Sequence, residues 1–98
     1  MQYINICGIP YEIEEVEPCE AFNSGGGKVL GFINYSEQVI QIRKGLPDHI
    51  KEETILHEMV HGILFHTGRN DLVDNEEFVQ HMANALLNSS ISTQIMTK

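Results

Sequence analysis

Ile55-Leu56-His57-Glu58-Met59-Val60-His61-Gly62-Ile63-Leu64 is the stretch that decides the fold. Ile55, Met59 and Ile63, and beside them Leu56, Val60 and Leu64, recur at the three- and four-residue spacing of a helix. The boundaries are legible too. Pro47-Asp48 stops whatever precedes, with Asp48 as the expected N-cap and Glu52 and Glu53 favouring the positive end of the helix. Gly68 is a natural C′ residue, so the predicted helix covers about 48–67.

Downstream, Asp71-Leu72-Val73-Asp74 reads as a connection, and Asp74 with Glu77 forms an expected capping box. A second helix, about 75–88, then carries Phe78, Val79, Met82, Ala83 and Leu86 on its apolar positions. The polar tail 89–98 is expected to fray. Upstream, residues 1–44 read as strands. Tyr3-Ile4-Asn5-Ile6 is a short one, ended by Gly8-Ile9-Pro10. Tyr11, Ile13 and Val16 alternate with glutamates, with one slip in phase at Glu14-Glu15 that predicts a bulge or the strand's end. Val29–Ile33 and Val39–Ile42, joined by Asn34-Tyr35-Ser36-Glu37, predict an antiparallel hairpin. Gly25-Gly26-Gly27-Lys28 lacks the spacing of a phosphate loop and is read as a flexible turn. The expected architecture is α+β: a small antiparallel sheet packed on the His57–His61 helix and a second, C-terminal helix.

Ninety-eight residues allow a single domain. Six Lys+Arg against fourteen Asp+Glu give a formal charge of −8, which argues against nucleic acid or an anionic membrane surface as a partner. No run approaches the ~20 apolar residues of a membrane span. The start, Met1-Gln2-Tyr3-Ile4, lacks signal-peptide character, so a cytoplasmic location is expected. Cys7 and Cys19 fit neither a C-x-x-C redox pair nor a zinc knuckle, and are expected to be small, at least half-buried thiols.

His57-Glu58-Met59-Val60-His61 is H-E-x-x-H. Residues four apart on a helix stack on one face, so both imidazoles reach one ion. Glu58, about 100° further round, stands beside the metal without binding it, where a general base takes a proton from water. A chance match in so short a chain is roughly a one-in-several-hundred event. Two imidazoles mid-helix without partners cost free energy, which favours a metal over two packed core histidines. Catalytic zinc usually takes three protein ligands. His66 does not supply the third, because five residues beyond His61 it points about 140° away. Glu76, Glu77 and His81 on the second helix are the candidates, with Asp71 or Asp74 as substitutes. Glu76 is favoured, since it is in register with Val79 and Ala83 while the capping box engages Glu77.

The segments Leu56–Ile63 and Asn75-Glu76-Glu77-Phe78-Val79-Gln80-His81-Met82-Ala83-Asn84 together resemble the minimal zincin-type metallopeptidases of bacteriophages and prophages. These are distant relatives of the ImmA/IrrE metallopeptidases. Gly31–Ile42 is similar to the hairpin that precedes the active helix in that family. The resemblance covers roughly residues 9 to 88. It implies a zincin-like fold, His57 and His61 as zinc ligands, Glu58 as base, and an acidic ligand from the second helix. A bacterial host cytoplasm follows if the chain is phage-encoded.

The expected function is a zinc-dependent endopeptidase with a protein or peptide substrate. The rivals are a catalytically idle zinc-binding interaction protein and a zinc hydrolase of a non-peptide substrate. An extended substrate is expected to add to a free sheet edge. Val39, Ile40 and Gln41 are the candidate edge, being on the last strand before Asp48.

Overall fold

The alternation of Ile4 and Ile6 with Tyr11 and Ile13 becomes a hairpin. Strands β1 (Gln2–Ile6) and β2 (Ile9–Val16) pair antiparallel about the turn Cys7–Gly8, where both φ angles are positive. The computed structural model describes residues 2–17, 30–88 and 96–97. Cys19, the glycine turn and residues 89–95 of the tail therefore lie outside the described residues. Cys7 is exposed and free, contrary to the expectation of a buried thiol, because it sits in that tight turn.

Strands β3 (Gly31–Asn34) and β4 (Val39–Arg43) form the expected second hairpin. Helices α1 (Asp48–His66) and α2 (Glu76–Leu87) follow, and the two-residue strand β5 (Met96–Thr97) pairs with β1. The five strands run in the order β3-β4-β2-β1-β5. The fold is α+β as expected, but the sheet is mixed, since β4 runs parallel to β2.

That order corrects the assignment of the free edge. Val39, Ile40 and Gln41 lie in β4, which is paired on one side with β2 and on the other with β3. Their backbone is in ladder and Ile40 is fully buried, so they offer a peptide nothing. Being last in sequence before α1 does not put a strand last in the sheet. The edge is β3.

No bulge interrupts β2, whose pairing with β4 is continuous from Glu12 to Val16. The phase slip has a different cause. Glu15 points to the helix side of the sheet, where the Lys51 ammonium reaches its carboxylate at 3.0 Å. An ion pair at the margin of the core replaces an apolar contact there.

Ile4, Ile6, Tyr11, Ile13, Ile40 and Ile42 make the sheet's buried face, and Ile55, Leu56, Met59, Val60 and Leu64 of α1 pack on it. Each fully buried aliphatic side chain stabilises the fold by about 1.5–3 kcal/mol. From the other side α2 covers α1 with Val79 and Ala83, both fully buried. Helix α1 is thus enclosed along its middle, and Glu58, His61 and Gly62 are buried with its aliphatic residues. A Cβ at Gly62 would lie 3.0 Å from Ile6 Cδ1 and 3.1 Å from Ile33 Cδ1. The glycine beside the second histidine is what lets α1 lie so close to the sheet.

The helix ends depart from expectation in two places. Pro47 is the N-cap of α1 and Asp48 its first helical residue, which favours the helix by charge and not by a side-chain cap. Asn75 caps α2, its Oδ1 accepting from the Phe78 amide at 3.0 Å. Glu76 and Glu77 both fall in the first turn, so the Asp74–Glu77 box does not form. Gly68 does follow α1 in the left-handed region, at φ 77°. No described helix is long and apolar enough to cross a membrane.

Candidate metal centre

His57 and His61 lie one turn apart on the side of α1 that faces the start of α2, with ring centroids 5.0 Å apart. Glu76, in the first turn of α2, spans them. One carboxylate oxygen is 3.0 Å from His57 Nε2 and the other 3.0 Å from His61 Nε2. Among the described residues, these three form a group able to hold a metal ion, with ligand atoms within 4.8 Å of one another.

The outer nitrogens decide what the inner ones can do. His61 Nδ1 lies 2.6 Å from the carbonyl oxygen of Val73, which only accepts, so Nδ1 carries the proton. His57 Nδ1 lies 2.8 Å from Gln80 Oε1 and donates likewise. In a neutral ring each Nε2 is then a lone pair aimed at the carboxylate. Two lone pairs and an anion facing one point need positive charge between them. Protons satisfy the set only where the imidazoles are charged; a metal ion satisfies it with neutral rings. Ligands at about 2.0–2.2 Å from one tetrahedral ion stand about 3.3–3.6 Å from each other; here each Nε2 lies 3.0 Å from a Glu76 oxygen, and one ligand atom from each residue falls within 4.8 Å of the others.

Glu58 is buried, and it lines the same open cleft of about 610 Å³ as His57, His61 and Glu76. Burial pushes its carboxyl up to about 8, and the adjacent Glu76 charge adds to the rise. The rest of the cleft comes from β3, from the Ile50–Thr54 turn of α1, and from Tyr35, Asp74 and Gln80.

The other sequence candidates stand apart from the centre. Glu77 and His81 are exposed on α2 and outside the ligand group. Asp71 is held by Arg69 through two hydrogen bonds of 3.0 and 2.9 Å. Asp74 lines the cleft without joining the group. His66 Nε2 is bonded to the Tyr11 hydroxyl on the far side of the helix.

Two residues of the cleft escaped sequence reading. Gln80 is four residues beyond Glu76, so a polar residue on the stripe that meets α1 was its visible signal. Tyr35 belongs to the β3–β4 turn and left only the general signal that loops carry function. Its ring stacks on Phe65 at 3.9 Å and meets His66 edge-on. Burial pushes its phenol up to about 12, with the charges of Glu58, Asp74, Tyr11 and Glu76 contributing in that order. At neutral pH the hydroxyl is a donor.

No family model, curated protein or solved structure matches the chain.

Proposed function

We propose that this chain is a zinc-dependent peptidase in which His57, His61 and Glu76 hold the metal and Glu58 is the general base. The observation that carries the reading is the pair of outward-committed Nδ1 protons, which leaves both Nε2 lone pairs converging on Glu76. Zinc held there would supply Lewis acidity to a carbonyl and acidify water. Glu58 would accept a proton from the attacking water and return it to the leaving amine. A buried carboxyl that favours its protonated form becomes a competent base once a cation nearby stabilises its charge.

Peptide bonds are the proposed substrate because β3, an edge of the sheet among the described residues, borders the cleft. Arg43 N donates to Leu30 O across the hairpin, and hydrogen-bonded pairs alternate along an antiparallel ladder. Gly31 and Ile33 therefore turn their amides and carbonyls outward, towards the cleft they line. An extended peptide can add there as a further strand. Tyr35 would donate to the carbonyl oxygen as it gains charge, the electrostatic role a peptidase needs filled. The cytoplasm of a bacterial cell, implied by the resemblance, is the proposed place of action.

The test is zinc stoichiometry by elemental analysis, followed by turnover of a quenched-fluorescent peptide library. Wild type should bind one zinc and cleave. His57→Ala/His61→Ala should lose both properties, and Glu58→Gln should keep zinc with at least ~100-fold less cleavage. Stoichiometric zinc in the double variant would refute the ligand assignment. Zinc without turnover in wild type would favour the idle metal-binding protein.

A further inference from the structure

We infer that Gln80 is a positioning residue that fixes the tautomer of His57 and so aims its Nε2 at the metal. The inference rests on the metal reading above, but its argument concerns hydrogen-bond polarity alone. Gln80 Nε2 lies 3.0 Å from Glu53 Oε1 and 3.0 Å from Asn84 Oδ1. A carboxylate only accepts, so the amide must present its NH2 group to Glu53. The carbonyl oxygen is thereby turned to His57 Nδ1, at 2.8 Å. Flipping the amide would set its oxygen against the Glu53 carboxylate, and moving the imidazole proton to Nε2 would set a lone pair against that oxygen. The flip loses a hydrogen bond and adds a repulsion; the proton shift does the same at Gln80, but with no cation bound it gives Nε2–H a hydrogen bond to Glu76 in return.

Direction therefore passes from Glu53 to Gln80 to His57. Helical spacing builds the chain, because Glu53 and His57 are four apart on α1, and Glu76, Gln80 and Asn84 are four apart on α2. Neighbours on each stripe stand one turn apart, so a polar side chain on one helix meets two on the other. His61 has the same arrangement with a backbone carbonyl, that of Val73, which no substitution removes. Gln80 is thus the half of the orienting shell that mutation can reach. Outer partners of metal-bound histidines fix tautomer and ring orientation, and their loss typically weakens metal binding about 10–100-fold.

The experiment uses the full chain, with zinc alone as the probe. Zinc affinity is measured by competition with a chromophoric chelator. Histidine tautomers are read by long-range proton–nitrogen NMR, at a pH where the rings are neutral, in the metal-free Glu76→Ala background. No carboxylate competes there for the Nε2 proton, and Gln80→Leu is introduced into the same background. With Gln80 in place, both His57 and His61 should be protonated on Nδ1 in that background. Gln80→Leu should bind zinc about 10–100-fold more weakly. It should also let His57 populate the Nε2–H form while His61 is unaffected. A merely structural role for Gln80 would leave the tautomer where it was. Gln80→Glu combined with Glu53→Gln retains an acceptor for Nδ1–H and a donor facing residue 80, and should keep the His57 tautomer, which keeps the inference testable if the leucine variant does not fold. The inference is overturned if His57 carries its proton on Nε2 in the Glu76→Ala background, or if Gln80→Leu matches wild type in affinity. A wild-type protein that takes up no zinc overturns the metal reading instead, and with it the purpose assigned to Gln80.

Discussion

Without metal, this protein should have a stability that falls as pH rises, and replacing Glu58 with glutamine should remove most of that dependence. Glu58 is only 8 % exposed, and its carboxyl is pushed from an ordinary 4.5 to about 8 by burial and then by Glu76. A group that holds its proton more tightly when folded contributes stability that is complete below the unfolded value. That contribution is lost as pH climbs through the folded value. Between pH 4.5 and about 8 the folded chain keeps a proton that the unfolded chain has released. Each pH unit in that window removes about 1.4 kcal/mol, with a ceiling of about 5 kcal/mol over the whole interval. That is a large share of the stability of a domain this small.

The assay is urea unfolding of wild type and Glu58→Gln at pH 5, 6, 7 and 8, with a chelator in one series and saturating zinc in a second. Other titrating groups are common to both proteins and cancel in the difference. The wild-type slope should be steeper by roughly 1 kcal/mol per pH unit, and saturating zinc should flatten it, since a cation beside Glu58 stabilises the ionised carboxylate. Parallel slopes for the two metal-free proteins would refute the reasoning. They would mean that water reaches Glu58 freely enough to leave it an ordinary carboxyl.

Glu76→Ala should weaken zinc binding by orders of magnitude, whereas Glu77→Ala, which removes an exposed charge from the first turn, should cost only about 0.3–1 kcal/mol of stability; chelator competition and urea unfolding separate the two. Asn75→Ala should cost about 1 kcal/mol, read in the same unfolding assay, while Asp74→Ala should cost less because it caps nothing. Tyr35→Phe should keep zinc and lower peptide turnover about 100–1000-fold, mainly in kcat, as loss of one oxyanion donor does.

Both helices and their faces were legible because burial imposes one period on a long run of residues. Ile55 to Leu64 admits no other reading, and the stripe through Val79 and Ala83 led to Glu76 even though the capping argument beside it was mistaken. Asn75 outcompetes Asp74 for the cap, and the choice between adjacent polar residues turns on backbone angles that a residue pattern does not carry. The strands were legible one at a time. Their order was not, because the parallel pairing of β2 with β4 joins residues about 27 positions apart, and alternation says nothing about which neighbour lies alongside. Gln80 was missed for a related reason. Its importance lies in facing Glu53 and His57 from another helix, and no local pattern records a relation of that kind.

The dependence of the centre on those relations also explains how so short a chain can hold it. Two stripes of polar residues, Glu53-His57-His61 on α1 and Glu76-Gln80-Asn84 on α2, face each other at the edge of one apolar core. Sliding one helix by a turn would displace its stripe by about 5.4 Å and leave every partner unmatched. The offset is fixed in the connection between them. Leu72 and Val73 both donate to Arg69 O, and Asn75 donates to Leu72 O before capping α2. The Val73 carbonyl left over is the one that orients His61. The nine residues linking the helices thus set the register of the two stripes and supply a contact to a ligand. A lengthened link should therefore cost metal affinity before it costs the fold, since the apolar contacts of Val79 and Ala83 tolerate small shifts that a three-ligand site does not.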